Sequence, residues 1–328
     1  MTSNYDVAAI GNAIVDVLAS ADEAFLFAEG LVKGSMMLVD EARAHALYER
    51  MAAGVEASGG SAANTIAGVA SLAGRALFVG KTAGDTLGEV FRHDIRAIGA
   101  AFESEPLTRG PATGRCLINV TADGERTMCT YLGAAQMLAP ADVDENEIAA
   151  ADILYLEGYL FDPPEARAAF GKAAAAARAA GRTISLTLSD PFVVERHRAG
   201  LLAFIEAEVD LLFANEAEVT ALFETSFDQA LAALNGRVKI AAVTRGAAGS
   251  IVLAGGEMIG VAAEPVEKVV DTTGAGDQYA AGFLIGLSAG RPLADCARMG
   301  SMAAAEVISH FGPRPLTRLR DLAAERGF

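Results

Sequence analysis

The sequence predicts an α/β fold: a doubly wound, mostly parallel sheet flanked by helices, with a small second β-sheet standing off it as a lid. Three observations predict it. Short apolar, β-branched runs alternate with longer Ala/Leu/Glu-rich stretches of helical spacing, as in a parallel sheet covered on both faces. The chain has 328 residues, enough for one large domain with an ample core, and no internal repeat or low-complexity linker divides it. Two stretches break the alternation, and these are read either as a lid that closes over a substrate or as a pair of decorative insertions.

In chain order, Val7–Ile10 reads as the first strand. Residues 12–40 break the pattern, with an apolar run at Ile14–Leu18, then Gly30, Gly34 and Met36–Val39. Ser58–Thr65 leads into a helix over Ile66–Ala73, and Ala76–Val79 is the next strand. Residues 113–132 read as a hairpin, Gly114–Thr121 and Glu125–Leu132 about a turn at Ala122-Asp123-Gly124, because Asp-Gly between strand-like runs is a strong turn signal. Strands follow at Ile153–Leu156, Thr183–Leu188, Leu211–Phe213 and Ile240–Val243, with helices at Glu165–Ala179, Glu216–Phe223 and Asp228–Leu234. The Ala173–Ala180 segment is a helix, not a biased tail. Residues 1–328 are thus read as one domain, with lid segments at approximately 12–40 and 104–134.

Composition narrows the function. There are 26 Lys+Arg against 42 Asp+Glu, a formal net charge of −16, whereas nucleic-acid binders carry a basic stripe. No apolar run reaches the roughly 18 residues of a membrane span. The N-terminal residues lack the basic start and apolar stretch of a signal peptide. Cys116, Cys129 and Cys296 are odd in number and form no CxxC, which suits a reducing cytoplasm. No nucleic-acid or membrane partner is expected, and the chain is read as a monomer or homodimer.

Four segments carry chemistry. Asp271-Thr272-Thr273-Gly274-Ala275-Gly276-Asp277 follows Val269-Val270 and opens a helix to about Ser288. Gly274, Ala275 and Gly276 let backbone amides approach a ligand at a helix N-terminus, where the dipole favours an anion. Asp277 in the first turn either takes a proton from an attacking hydroxyl or complements the dipole. Ser58-Gly59-Gly60-Ser61-Ala62-Ala63-Asn64-Thr65 offers paired glycines, and Asn64 as a partner for a substrate hydroxyl. It reads equally as a helix start capped by Ser61. Asn215-Glu216-Ala217-Glu218 follows a strand at the sheet edge where open α/β folds bind ligands. There Glu218 either orients waters on Mg²⁺ or caps its own helix. Thr244-Arg245-Gly246-Ala247-Ala248-Gly249 also follows a strand, as a nucleotide loop or a plain hairpin turn.

Other patterns fail. Gly80-Lys81-Thr82 resembles the end of a Walker A loop, but Arg75 stands where that loop needs glycine. The four histidines are scattered, with no HExxH, and there is no Gly-x-Ser-x-Gly elbow.

Taken in order, these segments resemble the ribokinase/PfkB family of small-molecule kinases along nearly the whole chain. Gly59-Gly60…Asn64 looks like that family's N-terminal signature, and Asp271–Asp277 like its C-terminal one. Asn215…Glu218 is similar to its magnesium motif, and Thr244, Gly246 and Gly249 to its nucleotide loop. Gly11-Asn12-Ala13-Ile14-Val15-Asp16 is similar to the opening of the adenosine kinase branch.

The resemblance implies a ribokinase-like fold and ATP-dependent phosphorylation of the 5′-hydroxyl of adenosine, with a ribokinase- or fructokinase-like sugar kinase as the alternative. It gives Asp277 the role of general base and Gly274–Gly276 that of anion hole. Asp16, Asn12, Gly59, Gly60 and Asn64 fall on the substrate, with Asp16 on the ribose hydroxyls. Tyr159 and Phe192 stand where the branch puts aromatic walls, and stacking on a base contributes about 1–3 kcal/mol, though both read equally as core packing; Met36, Met37 and Leu38 are weaker candidates for the opposite wall. ATP falls to Asn215, Thr244, Gly246, Gly249 and the helix near Ala304. Mg²⁺ falls to Glu218 through water, and a monovalent cation such as K⁺ to Asp271 and the Thr273 carbonyl. Arg115 and Arg126 are read as solvated hairpin arginines or as groups that approach the phosphates when the lid closes. A non-catalytic nucleotide-binding protein is a further alternative. A Rossmann dehydrogenase lacks the required GxGxxG after the first strand.

Overall fold

Alternation within each central strand shows how the core is organised. In β1 (Tyr5–Ile10) the side chains of Val7 and Ala9 enter one hydrophobic cluster and those of Ala8 and Ile10 another, on the opposite face. Period-two geometry sends successive residues to opposite faces, so a continuous apolar run is a strand buried on both. The computed structural model describes residues 4–328.

After β1 the chain leaves for the smaller sheet through β2 (Ile14–Ser20), α1 (Glu23–Ala28), β3 (Met36–Leu38), α2 (Glu41–Tyr48) and β4 (Val55–Gly59). It returns through α3 (Ser61–Ser71), β5 (Ala76–Val79) and α4 (Thr86–Ala97), then makes the hairpin β6 (Gly114–Val120) and β7 (Arg126–Tyr131). The remainder builds the large sheet: α5 (Glu145–Ala149), β8 (Ala151–Glu157), α6 (Pro164–Ala179), β9 (Thr183–Thr187), α7 (Pro191–Glu208), β10 (Leu211–Asn215), α8 (Glu216–Phe223), α9 (Phe227–Leu234), β11 (Ile240–Thr244), β12 (Ser250–Ala254) and β13 (Glu257–Val261). Three helices close the chain: α10 (Ala275–Ser288), α11 (Leu293–Val307) and α12 (Leu319–Glu325).

The large sheet has eight strands in the order β13-β12-β11-β10-β9-β8-β1-β5. It is parallel from β11 to β5, while β12 and β13 are antiparallel additions at one edge. One face carries α6, whose stripe of Ala166, Ala169, Phe170, Ala173, Ala174 and Ala177 is buried. The other carries α3 and α10, so the sheet is mostly parallel, doubly wound and flanked by helices as expected. The β12–β13 hairpin, turning at Gly255-Gly256, was not anticipated.

The smaller sheet has the order β3-β7-β6-β2-β4. Its outer face packs Val15, Val17, Leu117 and Cys129 against Leu26, Leu31 and Leu47 of the α1–α2 region. Its inner face holds Ile14, Cys116 and Ile118, with Leu18, Val120 and Met128 beside them. The hairpin falls where the Asp-Gly turn put it. The strand Val55–Gly59 pairs antiparallel with β2, so the sheet draws on residues beyond 12–40. No helix is long and apolar enough to cross a membrane among the described residues.

Candidate active site

The large sheet delivers Asn12, Glu157, Asn215 and Thr244 at or just beyond the carboxyl ends of β1, β8, β10 and β11, the edge at which open α/β sheets bind ligands. Two helix N-termini meet above it. Gly60 precedes α3 with φ of +95°, and a Cβ there would lie 2.3 Å from the Asn12 carbonyl oxygen. Gly274 precedes α10 with φ of +79°, and a Cβ there would lie 2.6 Å from the Pro313 carbonyl oxygen. Only glycine meets both demands at these positions.

Asp277 sits between the two helices. Ser61 Oγ donates to its Oδ1 at 2.7 Å and Asn64 Nδ2 to its Oδ2 at 3.2 Å. Burial pushes its carboxyl up to about 6, against the downward pull of those two donors. Ser61 is therefore not the cap of α3, since Gly60 takes that place without a side-chain bond. The helix begins at Ser61 and ends at Ser71, and Ala73 lies beyond it with φ of +62°. Asn64, expected to face a substrate hydroxyl, also donates to Asp277.

Asp16 lies on the inner face of the small sheet, in register with Ile14 and Leu18, and its carboxyl packs on Gly59. Burial raises it to about 6; the guanidiniums of Arg314 and Arg126 pull it down and Asp277 pushes it up. Glu157, a residue the motifs did not single out, lies beneath both. It accepts from Asn12 Nδ2 at 2.6 Å, Asn12 N at 3.3 Å and Ala62 N at 2.8 Å. It thus ties the Gly11-Asn12 turn to the start of α3. Its burial lifts it to about 7 despite these donors.

On the nucleotide side, Asn215 and Glu218 form a reciprocal capping box. Glu218 N donates to Asn215 Oδ1, while Asn215 N and Nδ2 donate to the Glu218 carboxylate, all at 2.8–2.9 Å. Burial raises Glu218 to about 7, with Asp190 and Asp277 adding to it. Thr244-Arg245-Gly246-Ala247-Ala248-Gly249 forms the turn from β11 to β12, with Arg245 paired to Glu216. Ala304 is half-buried on α11. One and two helical turns earlier, Ser301 and Arg298 line a cavity of about 520 Å³ with Val261, Ala262 and Phe328.

Several expected placements change. Arg115 and Arg126 are buried, not solvated. Arg126 Nη2 lies 2.6 Å from Asp271 Oδ2, linking the small sheet to the loop before α10. Asp271 also accepts from Thr273 N, Thr273 Oγ1 and Gly312 N, so its carboxylate is engaged by an arginine where a monovalent cation was expected. Tyr159 packs on the core beside the carboxylates of Asp190, Glu157, Asp277 and Glu218, and burial raises its hydroxyl. Phe192 is 70% exposed at the start of α7, so it is not a core residue. Met36 and Leu38 are exposed while Met37 packs inward.

This arrangement places an amide-rich helix start, a buried carboxylate of raised affinity for protons and a second carboxylate on a facing sheet around one space. It is suited to hold an anion, accept a proton and anchor a hydroxylated substrate. The sequence pattern of the pfkB family carbohydrate kinases matches residues 32–318, and the chain belongs to that family of ATP-using phosphotransferases. It is 51% identical to an adenosine kinase from Sinorhizobium meliloti, with a TM-score of 0.92 over 99% of this chain and 100% of that one. A probable sugar kinase from Rhizobium etli superposes with a TM-score of 0.93 at 46% identity, over 99% of each chain. An adenosine kinase from Schizophyllum commune is 27% identical over 95% of this chain and 97% of its own.

Proposed function

We propose that the chain transfers the γ-phosphoryl group of ATP to the 5′-hydroxyl of adenosine. One observation carries the choice of a nucleoside over a free sugar. The sheet face around Asp16 is mostly apolar, made by Ile14, Leu18, Cys116, Ile118, Val120 and Met128, with Thr130 and Arg126 as its polar members. A free sugar presents hydroxyls in every direction and gains little from such a face. A nucleoside offers two ribose hydroxyls to a carboxylate and an apolar base to the surroundings. The similarity to two adenosine kinases supports the same reading.

In this reading Asp16 accepts from the ribose hydroxyls and the base lies against the inner sheet face. The 5′-oxygen attacks the γ-phosphorus as its proton passes to Asp277; the bond to the β-phosphate oxygen breaks and ADP leaves. The amides at Gly274–Gly276, at the positive end of α10, stabilise charge on the transferring group. The buried guanidinium of Arg126, with no hydrogen-bond partner among the described residues beyond its ion contact to Asp271, has donors left for phosphate oxygens. Asp16, Glu157, Glu218 and Asp277 concentrate negative charge there, each held above its ordinary range. That surplus fits a cation, with Glu218 and Asn215 orienting its waters; when bound, Mg²⁺ neutralises phosphate charge. Among the described residues no group of three or more His, Cys, Asp or Glu is arranged to hold a metal directly.

The test is ADP release across adenosine, other nucleosides, ribose and fructose. Adenosine is expected to give the highest kcat/KM. Turnover confined to free sugars overturns the nucleoside assignment, and ATP binding without turnover on any acceptor overturns the kinase role.

A further inference from the structure

Arg314, in the segment between α11 and α12, brings a cation to the centre of this acidic site. Its side chain is 18% exposed. Its Nη1 donates to Asp94 Oδ2 at 2.9 Å and its Nε reaches Asn64 Oδ1 at 3.4 Å. Asp94 in turn accepts from Ser58 N and Oγ at the end of β4. One arginine thus joins α4, β4 and α3 around the catalytic carboxylates.

The amide of Asn64 has one accepting and one donating end, and Arg314 only donates. With Oδ1 against the guanidinium, Nδ2 must face Asp277, which is the contact observed. The flipped amide would set its oxygen against a carboxylate and its NH₂ against a guanidinium, both unfavourable. Charge tells the same way. Asp16 is faced by Asp277, Cys116, Arg126 and Arg314. Asp277 in turn raises the groups around it, Asp16, Glu157, Tyr155, Tyr159 and Glu218. Arg126 and Arg314 are the cations in this group, each paired with one further carboxylate, Asp271 and Asp94 respectively, and Arg314 is the stronger of the two in lowering Asp16.

We propose that Arg314 is a positioning residue: it fixes the amide of Asn64 so that it donates to Asp277, and it supplies the counter-charge of Asp16. This rests on the reading of Asp277 as the base. Arg314 touches neither phosphate nor base in this reading, and acts through Asn64 and Asp16. A cavity of about 440 Å³, lined by Arg314, Ala67, Ala70 and Ile98, lies against it, so a small cation can enter when the side chain is shortened.

The experiment compares the full chain with R314A, R314K and R314A plus millimolar methylguanidinium. In R314A, kcat is expected to fall about 100-fold, within the range proton-transfer catalysis contributes. KM for adenosine should rise, while KM for ATP stays within about twofold, because the effect acts on Asp16 and Asp277 and leaves the nucleotide side alone. The acid limb of the pH–rate profile should move to higher pH by up to about one pH unit, because Asp277 loses the ordered Asn64 donation that holds it down. Methylguanidinium should restore turnover and R314K part of it. A folded R314A with unchanged kcat and acid limb, or one that methylguanidinium does not restore, overturns the proposal. If wild type phosphorylates no acceptor, the kinase reading falls by itself. Carbon-13 NMR of the aspartate carboxyls then decides Arg314, since an Asp16 titration unchanged in R314A removes it as the counter-charge.

Discussion

At the residue scale, the group on which the proposed function turns is Asp277. Its folded-state value, raised to about 6 by burial, makes it a base that is ionised at neutral pH and progressively protonated below. A base must be deprotonated to act, so kcat/KM is expected to fall about tenfold per pH unit below pH 6. D277N should lose about 10³-fold or more in kcat while binding ATP nearly as wild type. Near-wild-type turnover in D277N, or a flat profile down to pH 4.5, sinks the assignment. Asp277 was legible in the sequence because its signal is local: three small residues, a helix start and a carboxylate follow one another. Glu157 and Arg314 were not, because Glu157 meets Asn12 across 145 residues and Arg314 meets Asn64 across 250. No spacing rule spans such separations, and each residue alone reads as an ordinary charged side chain. Asn64 shows the intermediate case: its motif drew attention to it, while only the fold showed that its amide bridges Arg314 and Asp277.

At the element scale, the strands that could be read were those buried on both faces, where an unbroken apolar run suffices. Val55–Gly59 could not, because Val-Glu-Ala-Ser-Gly has weak strand preference and becomes a strand only by pairing with β2. The edge strand Glu257–Val261 is similarly half-exposed, and the sequence pattern there is diluted by Gly260. The hairpin β6–β7 was legible, yet its arginines were not, since a buried ion pair looks like surface charge until its partner is known. Arg126 and Asp271 tie this hairpin to the loop that leads into α10, so the element is fastened at its most polar point. R126M strands a buried carboxylate and is expected to destabilise the fold by about 3–5 kcal/mol. Chemical denaturation measures this. The double variant R126M/D271N should recover part of the loss, because it removes the uncompensated charge. An R126M midpoint equal to wild type would mean that the hairpin is held by packing alone.

At the scale of the whole molecule, the net charge of −16 matters less for which ligands bind than for how stability varies with pH. Asp16 and Asp277 are raised to about 6, and Glu157 and Glu218 to about 7. The folded state therefore holds these protons more tightly than the unfolded chain. Their contribution is fully present below the ordinary carboxyl range and is lost as pH rises through 6 to 7. Asp6, Asp85 and Asp162 act in the opposite sense: hydrogen bonds and ion pairs hold them below the ordinary value, so their contribution is lost on acidification below about pH 4. The two sets leave a window of greatest stability near pH 4 to 5. The ligand-free protein should thus have a higher urea midpoint at pH 5.5 than at pH 8. The difference should be on the order of a few kcal/mol, since each tenfold gain in proton affinity on folding corresponds to about 1.4 kcal/mol. E157Q should flatten part of that slope by removing one of the four titrations, at some cost to stability at the acid end. A wild-type midpoint that climbs steadily from pH 5 to 8 would show that these carboxylates ionise without penalty, and the site would then lack the uncompensated negative charge that a metal–nucleotide complex is expected to neutralise.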